Sequence, residues 1–243
     1  MPDAPYMYWV GMNTHPDMSE AELEKFNDFY SNIHAHEVVE NNPGFFRATR
    51  YELLDPDPRG NFGPRWLVMY EMDGKDAAQG YIDRDAAGPD ARPKYTPGPA
   101  AWQNYEPWWR LIWNRLVPEK GELGAAGAPY LYFVAMNVPP GTDAKGMQEF
   151  NDFYTSIHVP EVVNVAAFRS GTRYQLHKEF LHPAPGSPQF LAVYEADDTS
   201  RQRMAERRAE PGKYPISSGP PVWEAHDTLW RLWYKRIDSY AKP

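Results

Sequence analysis

Four kinds of side chain that can handle protons or hydrogen bonds recur together in two segments of the chain. Residues 26–39 and 150–163 are identical at ten of fourteen positions, and both keep Asn, Tyr, His and Glu at the same spacing. A histidine titrates near neutral pH, a tyrosine one helical turn away can donate to a developing oxyanion, and a glutamate three residues further can orient the imidazole or raise its basicity. This set predicts acid–base chemistry on a small molecule.

The pattern also predicts where these side chains point. At about 100° per residue, one face of a helix in the first segment holds Leu23, Phe26, Asn27, Tyr30, Ile33, His34 and Glu37. The second segment repeats this face with Met147, Phe150, Asn151, Tyr154, Ile157, His158 and Glu161. The inward face of a helix is normally apolar, so the polar members require either buried hydrogen bonds or a cavity with a polar end. The first alternative makes them satisfied core groups. The second makes them site residues.

The candidate site residues follow from that second alternative. The candidate catalytic residues are His158, Tyr154, Glu161, Asn151, His34 and Tyr30. Asn27 and Glu37 are candidate substrate-binding residues. Four aromatic residues in or after two Pro/Gly-rich loops are further candidates, because these loops are either lids over a pocket or rigid turns before the last strand: Tyr95, Trp102, Tyr214 and Trp223.

The elements that must position these residues are the same in both halves. In the first half, the pattern predicts strands over 6–13, 44–54, 65–72 and 107–116, and helices from the capping box at Ser19–Glu22 to about residue 40 and over 74–86. This β-α-β-β-α-β order is ferredoxin-like. Several strands are apolar on both faces, so each sheet needs a partner on its second face. We therefore predict an α+β fold in which the antiparallel sheets of two tandem repeats form a barrel with helices outside.

The repeat divides the chain into two units. We predict a first ferredoxin-like repeat over 1–117, a linker rich in Gly, Ala and Pro over 118–129, and a second repeat over 130–243. The duplication supplies the sheet pairing that a single repeat obtains by dimerising, so the expected state is a monomer with a pseudo-dimeric barrel, or a homodimer.

Composition excludes several classes of protein. The 243 residues carry a net charge of -8 and no cysteine, which excludes disulfides and thiolate metal sites and argues against nucleic-acid binding. No apolar run is long enough to span a bilayer, so we expect a cytoplasmic protein without membrane partners. Aromatic residues make up 15% of the chain. They either fill two small cores or line a pocket for a hydrophobic or aromatic small molecule.

At this point the second segment carries a family resemblance. The pattern Phe-x-x-Phe-Tyr-x-x-Ile-His-x-Pro-Glu-Val-Val in residues 150–163, followed by a strand with Arg173 and Tyr174, resembles the EthD-like domains of the dimeric α+β barrel superfamily. The resemblance covers both halves. Relatives of this superfamily include quinone-forming monooxygenases, cyclases, lyases, isomerases and haem enzymes similar to chlorite dismutase. It implies a pocket between sheet and helix in which a histidine and a tyrosine are functional.

The two copies differ at one position near the histidine. Pro160 stands where the first copy has His36. Because proline removes a backbone donor and clashes with the preceding turn, we expect it to end or kink the helix just after His158. We therefore expect the second copy to carry the chemistry. Separately, Arg50 and Arg173 are predicted to make buried ion pairs with Glu71 or Glu195.

Three functions remain open from the sequence. The leading hypothesis is a lyase, cyclase or isomerase that uses no cofactor and no metal, with His158 as base and Tyr154 as oxyanion donor, acting on an aromatic or polyketide-like substrate. An alternative is a haem- or oxygen-using oxidoreductase of the same architecture; haem would need an axial ligand and a wide, flat cavity. A non-catalytic ligand-binding module is the third. Fold alone does not choose among them.

Overall fold

The computed structural model describes residues 4–55, 63–120, 127–210 and 212–243. These residues form eight strands: β1 Tyr6–Thr14, β2 Phe45–Asp55, β3 Trp66–Met72, β4 Tyr105–Lys120, β5 Tyr130–Asn137, β6 Ser170–Leu181, β7 Phe190–Ala196 and β8 Asp227–Ala241. They also form seven α-helices: α1 Glu20–Phe29, α2 Ala35–Asn41, α3 Lys75–Ala86, α4 Ala144–Phe153, α5 Val159–Val165, α6 Asp198–Ala209 and α7 Pro221–Glu224. The predicted order of elements is confirmed in each repeat.

The strands close into one barrel in the order β1-β3-β2-β8-β5-β7-β6-β4. Within each repeat the pairing is antiparallel and ferredoxin-like. Two further antiparallel pairs, β2 with β8 and β4 with β6, join the repeats. The predicted α+β barrel of two sheets with helices outside is therefore confirmed.

Side chains alternate between the barrel interior and the helix layer. The interior cluster draws on strands of both repeats and includes Trp9, Trp109, Trp113 and Phe133, all fully buried. Two other clusters lie outside the barrel, one per repeat, between the sheet and its own helices. Both faces of the sheet are therefore buried, one in the barrel interior and one under the helices, which is why several strands carry apolar residues on both sides.

The boundary between the repeats lies partly outside the described residues. Strand β4 runs to Lys120, so the first residues of the predicted linker belong to a strand. Residues 121–126 of that linker fall outside the described part of the chain. Among the described residues, no helix is long and apolar enough to cross a membrane.

A π-helical turn joins α1 to α2 in the first repeat and α4 to α5 in the second, which the sequence did not reveal. Helix α1 begins with the predicted capping box, in which Ser19 and Glu22 bond each other's backbone. After Phe29, residues 30–34 form a π turn, closed by the Ala35 amide donating to the carbonyl oxygen of Tyr30. The second repeat has the same turn over residues 154–158. Each turn adds one residue to a helical turn and so rotates the following residues relative to the first segment.

The geometry of these helices corrects two predictions. Ile33 and Ile157 are 39% and 43% exposed, so their placement on the inward face was wrong. A kink after His158 was also wrong, because helix α5 begins directly after the π turn and continues through Pro160 to Val165. Both repeats have the same local geometry, since the proline lies in the first turn of α5, where its missing N–H costs little. Pro160 therefore does not distinguish the two copies.

Candidate functional site

A buried arginine holds each π turn against the sheet. Arg50 donates from Nη1 to the carbonyl oxygen of Asn27 (3.0 Å) and to Ser31 Oγ (2.7 Å), and from Nη2 to Asn27 Oδ1 (2.7 Å). Its guanidinium lies over the Tyr30 ring, 4.4 Å from the centroid. Asn27 Nδ2 in turn donates to the carbonyl oxygen of Leu23. Asn27 was predicted to bind substrate. Its side-chain nitrogen instead donates to the helix backbone, and its side-chain oxygen accepts from Arg50.

The second repeat makes the same cluster. Arg173 bonds the carbonyl oxygen and Oδ1 of Asn151 and the hydroxyl of Thr155, and lies 4.1 Å from the Tyr154 ring centroid. The predicted ion pairs of Arg50 and Arg173 with glutamates were wrong. Arg173 lies opposite Ala192, on the helix side of the sheet, whereas Glu195 follows Tyr194 and points to the other side. The same alternation separates Arg50 from Glu71.

A cavity of about 560 Å³ lies between sheet and helices of the first repeat. Its size is typical of small-molecule sites. Four predicted site residues line it: Tyr30, His34, Tyr95 and Trp102. The rest of the lining comes from the outer face of β1, β3 and β4, from α2 and α3, and from the loop of residues 92–98, together with Asn42 and Gln103.

His34 is enclosed by aromatic rings. Its ring centroid lies 4.7 Å from that of Trp102, 5.1 Å from Tyr95 and 5.4 Å from Tyr30. Burial lowers the pKa of His34 to about 4, against a smaller opposing effect of Glu37. Because its Nδ1 atom is buried without a hydrogen-bond partner, Nε2 is the nitrogen left to meet a ligand. The imidazole is therefore neutral at physiological pH and can accept one proton from a bound molecule.

Part of the cavity lining is polar and charged, which sequence reasoning missed. Arg110 donates to Tyr8 Oη (2.9 Å), to Tyr81 Oη (3.3 Å) and to Asp85 Oδ1 (2.6 Å). Arg92 also donates to Asp85 Oδ1 (2.6 Å). Burial, and next Tyr81, raise the pKa of Tyr8 well above its ordinary value, so its hydroxyl stays protonated. Sequence offered one signal, because Trp109 and Arg110 recur as Trp230 and Arg231.

The glutamates of the repeat anchor loops, not imidazoles. Glu37 accepts from the backbone N–H of Thr96 (2.9 Å) and from its hydroxyl (2.5 Å). Glu161 does the same with Ser217. In the first repeat this fixes the loop of residues 92–98 over the cavity. Tyr95, on the same loop, accepts from Asn42 Nδ2 (3.0 Å).

The second repeat has a smaller cavity, of about 440 Å³, and fewer of the predicted residues reach it. Of those residues only His158 belongs to its lining. Burial lowers its pKa to about 4. The Trp223 ring lies 4.4 Å from the imidazole in a tilted arrangement, the Tyr154 hydroxyl is buried without a partner, and Tyr214 donates to Glu206.

Comparisons with known proteins show the fold and leave the family open. No protein-family model matches the sequence, and no curated protein matches it. Among solved structures, the chain is similar to a dye-decolorizing peroxidase from Bacteroides thetaiotaomicron, with a TM-score of 0.51, 9% identity, and coverage of 97% of this chain and 94% of that one.

Two further structures are similar to the same extent. A putative DyP-type peroxidase from Shewanella oneidensis has a TM-score of 0.51 and 8% identity, and coverage of 97% of this chain and 94% of that one. An anthrone oxidase-like protein has a TM-score of 0.50 and 11% identity, and coverage of 98% and 94%. The chain has the dimeric α+β barrel fold of these proteins. At such identities the likeness establishes the fold alone.

The leading functional hypothesis from sequence was wrong. A lyase, cyclase or isomerase without a cofactor has no counterpart among these fold neighbours, which are named as peroxidases and as an oxidase-like protein. The site agrees with that correction. A general base works best with a pKa near the working pH, and both imidazoles have pKa values near 4 because they are buried.

The histidines that line these two cavities do not match the axial ligand of a haem. A histidine that ligates a metal almost always donates its other ring N–H to a carboxylate, a carbonyl or a water. The Nδ1 atoms of His34 and His158 have no such partner, and the neighbouring carboxylates of Glu37 and Glu161 are committed to Thr96 and Ser217. In the described part of the chain, no three acidic or histidine side chains are grouped to hold a metal ion.

Proposed function

We propose that the chain is an oxidoreductase, of the EthD-like kind that its repeated segment resembles, and that it oxidises a flat phenolic molecule in the cavity of the first repeat. The observation that carries the proposal is the pairing, in one cavity, of a neutral imidazole held among aromatic rings with a polar end built by Arg110, Tyr8 and Tyr81. The names of the fold neighbours support oxidation as the reaction class.

The lining suits a flat substrate. Trp102, Tyr95 and Tyr30 offer ring faces and edges for offset or edge-to-face packing. A substrate oxygen at the polar part of the lining would meet the hydroxyls of Tyr8 and Tyr81, which Arg110 polarises. A fixed set of donors of this kind stabilises negative charge on a phenolic or quinone oxygen.

The chemistry requires only a weak base. A hydroquinone-type substrate becomes a quinone by losing two electrons and two protons, and dioxygen accepts both to form hydrogen peroxide. Removing an electron from a phenol makes its O–H proton strongly acidic. His34 can therefore take that proton at Nε2 despite its low pKa, whereas it could not easily deprotonate the same phenol before oxidation.

An oxygen electrode tests the proposal. Purified protein is incubated with a panel of hydroquinones, naphthols and anthrones, while dioxygen uptake and quinone absorbance are followed together. The expected result is one dioxygen consumed and one hydrogen peroxide formed for each quinone produced. Tight binding of these compounds with no oxygen uptake would establish the binding module in place of the enzyme. Turnover that requires added peroxide and proceeds without dioxygen would also contradict the proposal.

A further inference from the structure

The cavity of the second repeat has a different chemistry from the first. It lies outside the barrel beside the π turn of residues 154–158, and its walls are largely apolar: Tyr132, Val134, Val162, Tyr194, Met204 and Ile216. Its three charged side chains are all arginines, Arg207, Arg208 and Arg231. We propose that this cavity binds a small organic anion, a carboxylate carried on an apolar or aromatic body.

The charge of the lining differs between the repeats. The first cavity contains the carboxylate of Asp85, which accepts from Arg92 and Arg110 at 2.6 Å each. Among the described residues that line the second cavity there is no carboxylate. The helices that carry these residues, α3 and α6, are both 12 residues long, and their alignment puts Arg208 at the position of Asp85. The second cavity therefore combines positive charge with no acidic group in its wall.

The local electrostatics agree with this charge. Burial is the main reason why the pKa of His158 is low, and Arg207 lowers it further, while Glu161 opposes the shift. Glu161 is bound to the backbone and hydroxyl of Ser217, a loop residue that is not part of the lining. A neutral imidazole and a positive rim leave the cavity favourable for an anion.

The arginines alone would accept a carboxylate or a phosphate, so the apolar walls decide in favour of an organic anion. Arginine guanidinium groups bind carboxylates through two parallel hydrogen bonds, and Arg207 is half-buried at the last turn of α6, where it is less screened than an exposed side chain. The apolar walls contribute only if the ligand has an apolar body to bury. Both features together specify an amphiphilic anion and not phosphate.

Calorimetric titration tests this assignment with three probes: 1-naphthoate, its neutral counterpart 1-naphthamide, and inorganic phosphate. Wild-type protein should bind 1-naphthoate at least about tenfold more tightly than 1-naphthamide, and phosphate weakly or not at all. Added salt should weaken naphthoate binding. The variants R207Q and R208Q should each lose roughly five- to tenfold in affinity, and the double variant more.

Two controls locate the probe. Arg203 lies on the same helix but contacts Glu206 and the Tyr214 ring, outside the cavity, so R203Q should bind 1-naphthoate like the wild type. Arg84 is the first-repeat counterpart of Arg207 and lines the other cavity, so R84Q should also bind normally. Equal affinity for naphthoate and naphthamide would overturn the proposal. So would a loss of affinity in R84Q with none in the R207Q/R208Q double variant, or phosphate binding as tight as naphthoate.

Discussion

At the scale of single residues, the repeated Asn, Tyr, His and Glu have three different roles in the structure. Asn27 and Tyr30 belong to the cluster that fixes the π turn, Glu37 anchors a loop, and His34 lines a cavity. The sequence could predict that these side chains face inward, because the helical period gives the face. It could not assign their partners, since those come from Arg50, Thr96 and other residues far along the chain.

Arg50 is expected to stabilise the fold through its hydrogen bonds. The variant Arg50→Met keeps the length and apolar stem of the side chain but leaves the acceptors of Asn27 and Ser31 buried without donors. We expect the free energy of unfolding in urea to fall by about 2–3 kcal/mol. Arg65 makes an exposed ion pair with Glu52, so Arg65→Gln should change it by about 1 kcal/mol or less. Equal effects of the two substitutions would contradict this role.

The two buried histidines are expected to make stability depend on pH. Burial lowers the pKa of His34 and His158 from 6.5 to about 4. Between these values the unfolded chain binds more protons than the folded chain, so the free energy of unfolding falls as the pH is lowered from 6.5 towards 4. Above pH 6.5 both groups are neutral in both states, and their effect on the slope vanishes.

Urea unfolding at pH 7, 6 and 5 measures this slope. His34→Gln and His158→Gln should each reduce it by about one proton, and the double variant by about two. The slope is the informative quantity, because either substitution can also change stability at every pH. A double variant with the wild-type slope would show that these histidines titrate normally in the folded protein.

At the scale of elements, the strands and helices were predictable from apolar runs, helical period and the capping box at Ser19–Glu22. The π turns were not, because a single inserted residue leaves the composition of the helix unchanged and alters only its phase. The exposure of Ile33 and Ile157 shows the size of that phase error. An arginine recurs on the second strand of each repeat, as Arg50 and Arg173. The sequence shows this recurrence, but only the structure shows that these arginines bond the helix.

The loop over the first cavity is expected to depend on Glu37. Glu37→Ala removes both acceptors of Thr96, so the exchange of the Thr96 amide hydrogen with deuterium should speed up by about tenfold in a peptide covering residues 93–99. Glu24 is exposed on the outer side of the same helix, so Glu24→Ala should leave that exchange unchanged. Unchanged exchange in Glu37→Ala would mean that other contacts hold the loop.

At the scale of the whole molecule, duplication accounts for a closed barrel within one chain. The sequence predicted the partnership of the two sheets because strands apolar on both faces need two covers. It did not reveal how unequal the two cavities are, since that inequality comes from scattered differences such as Asp85 against Arg208. The two repeats therefore share one fold, but the cavities between sheet and helices differ in their lining.

The barrel interior is expected to make the repeats interdependent. Trp9 and Trp113 of the first repeat pack with Phe133 and Trp230 of the second, all at 1% exposure or less. Residues 1–120 expressed alone would expose this surface, so sedimentation should show a dimer or larger species and no folded monomer. A stable monomer with native-like helix content would contradict the shared interior.

If oxidation takes place in the first cavity, the two histidines must differ in their effect on quinone formation, and that difference tests the proposed function most directly. With a hydroquinone substrate that the wild type oxidises, His34→Gln should lower kcat/KM by about 100-fold or more, whereas His158→Gln should keep it within about twofold. The reverse pattern, or equal small effects of both substitutions, would contradict the assignment.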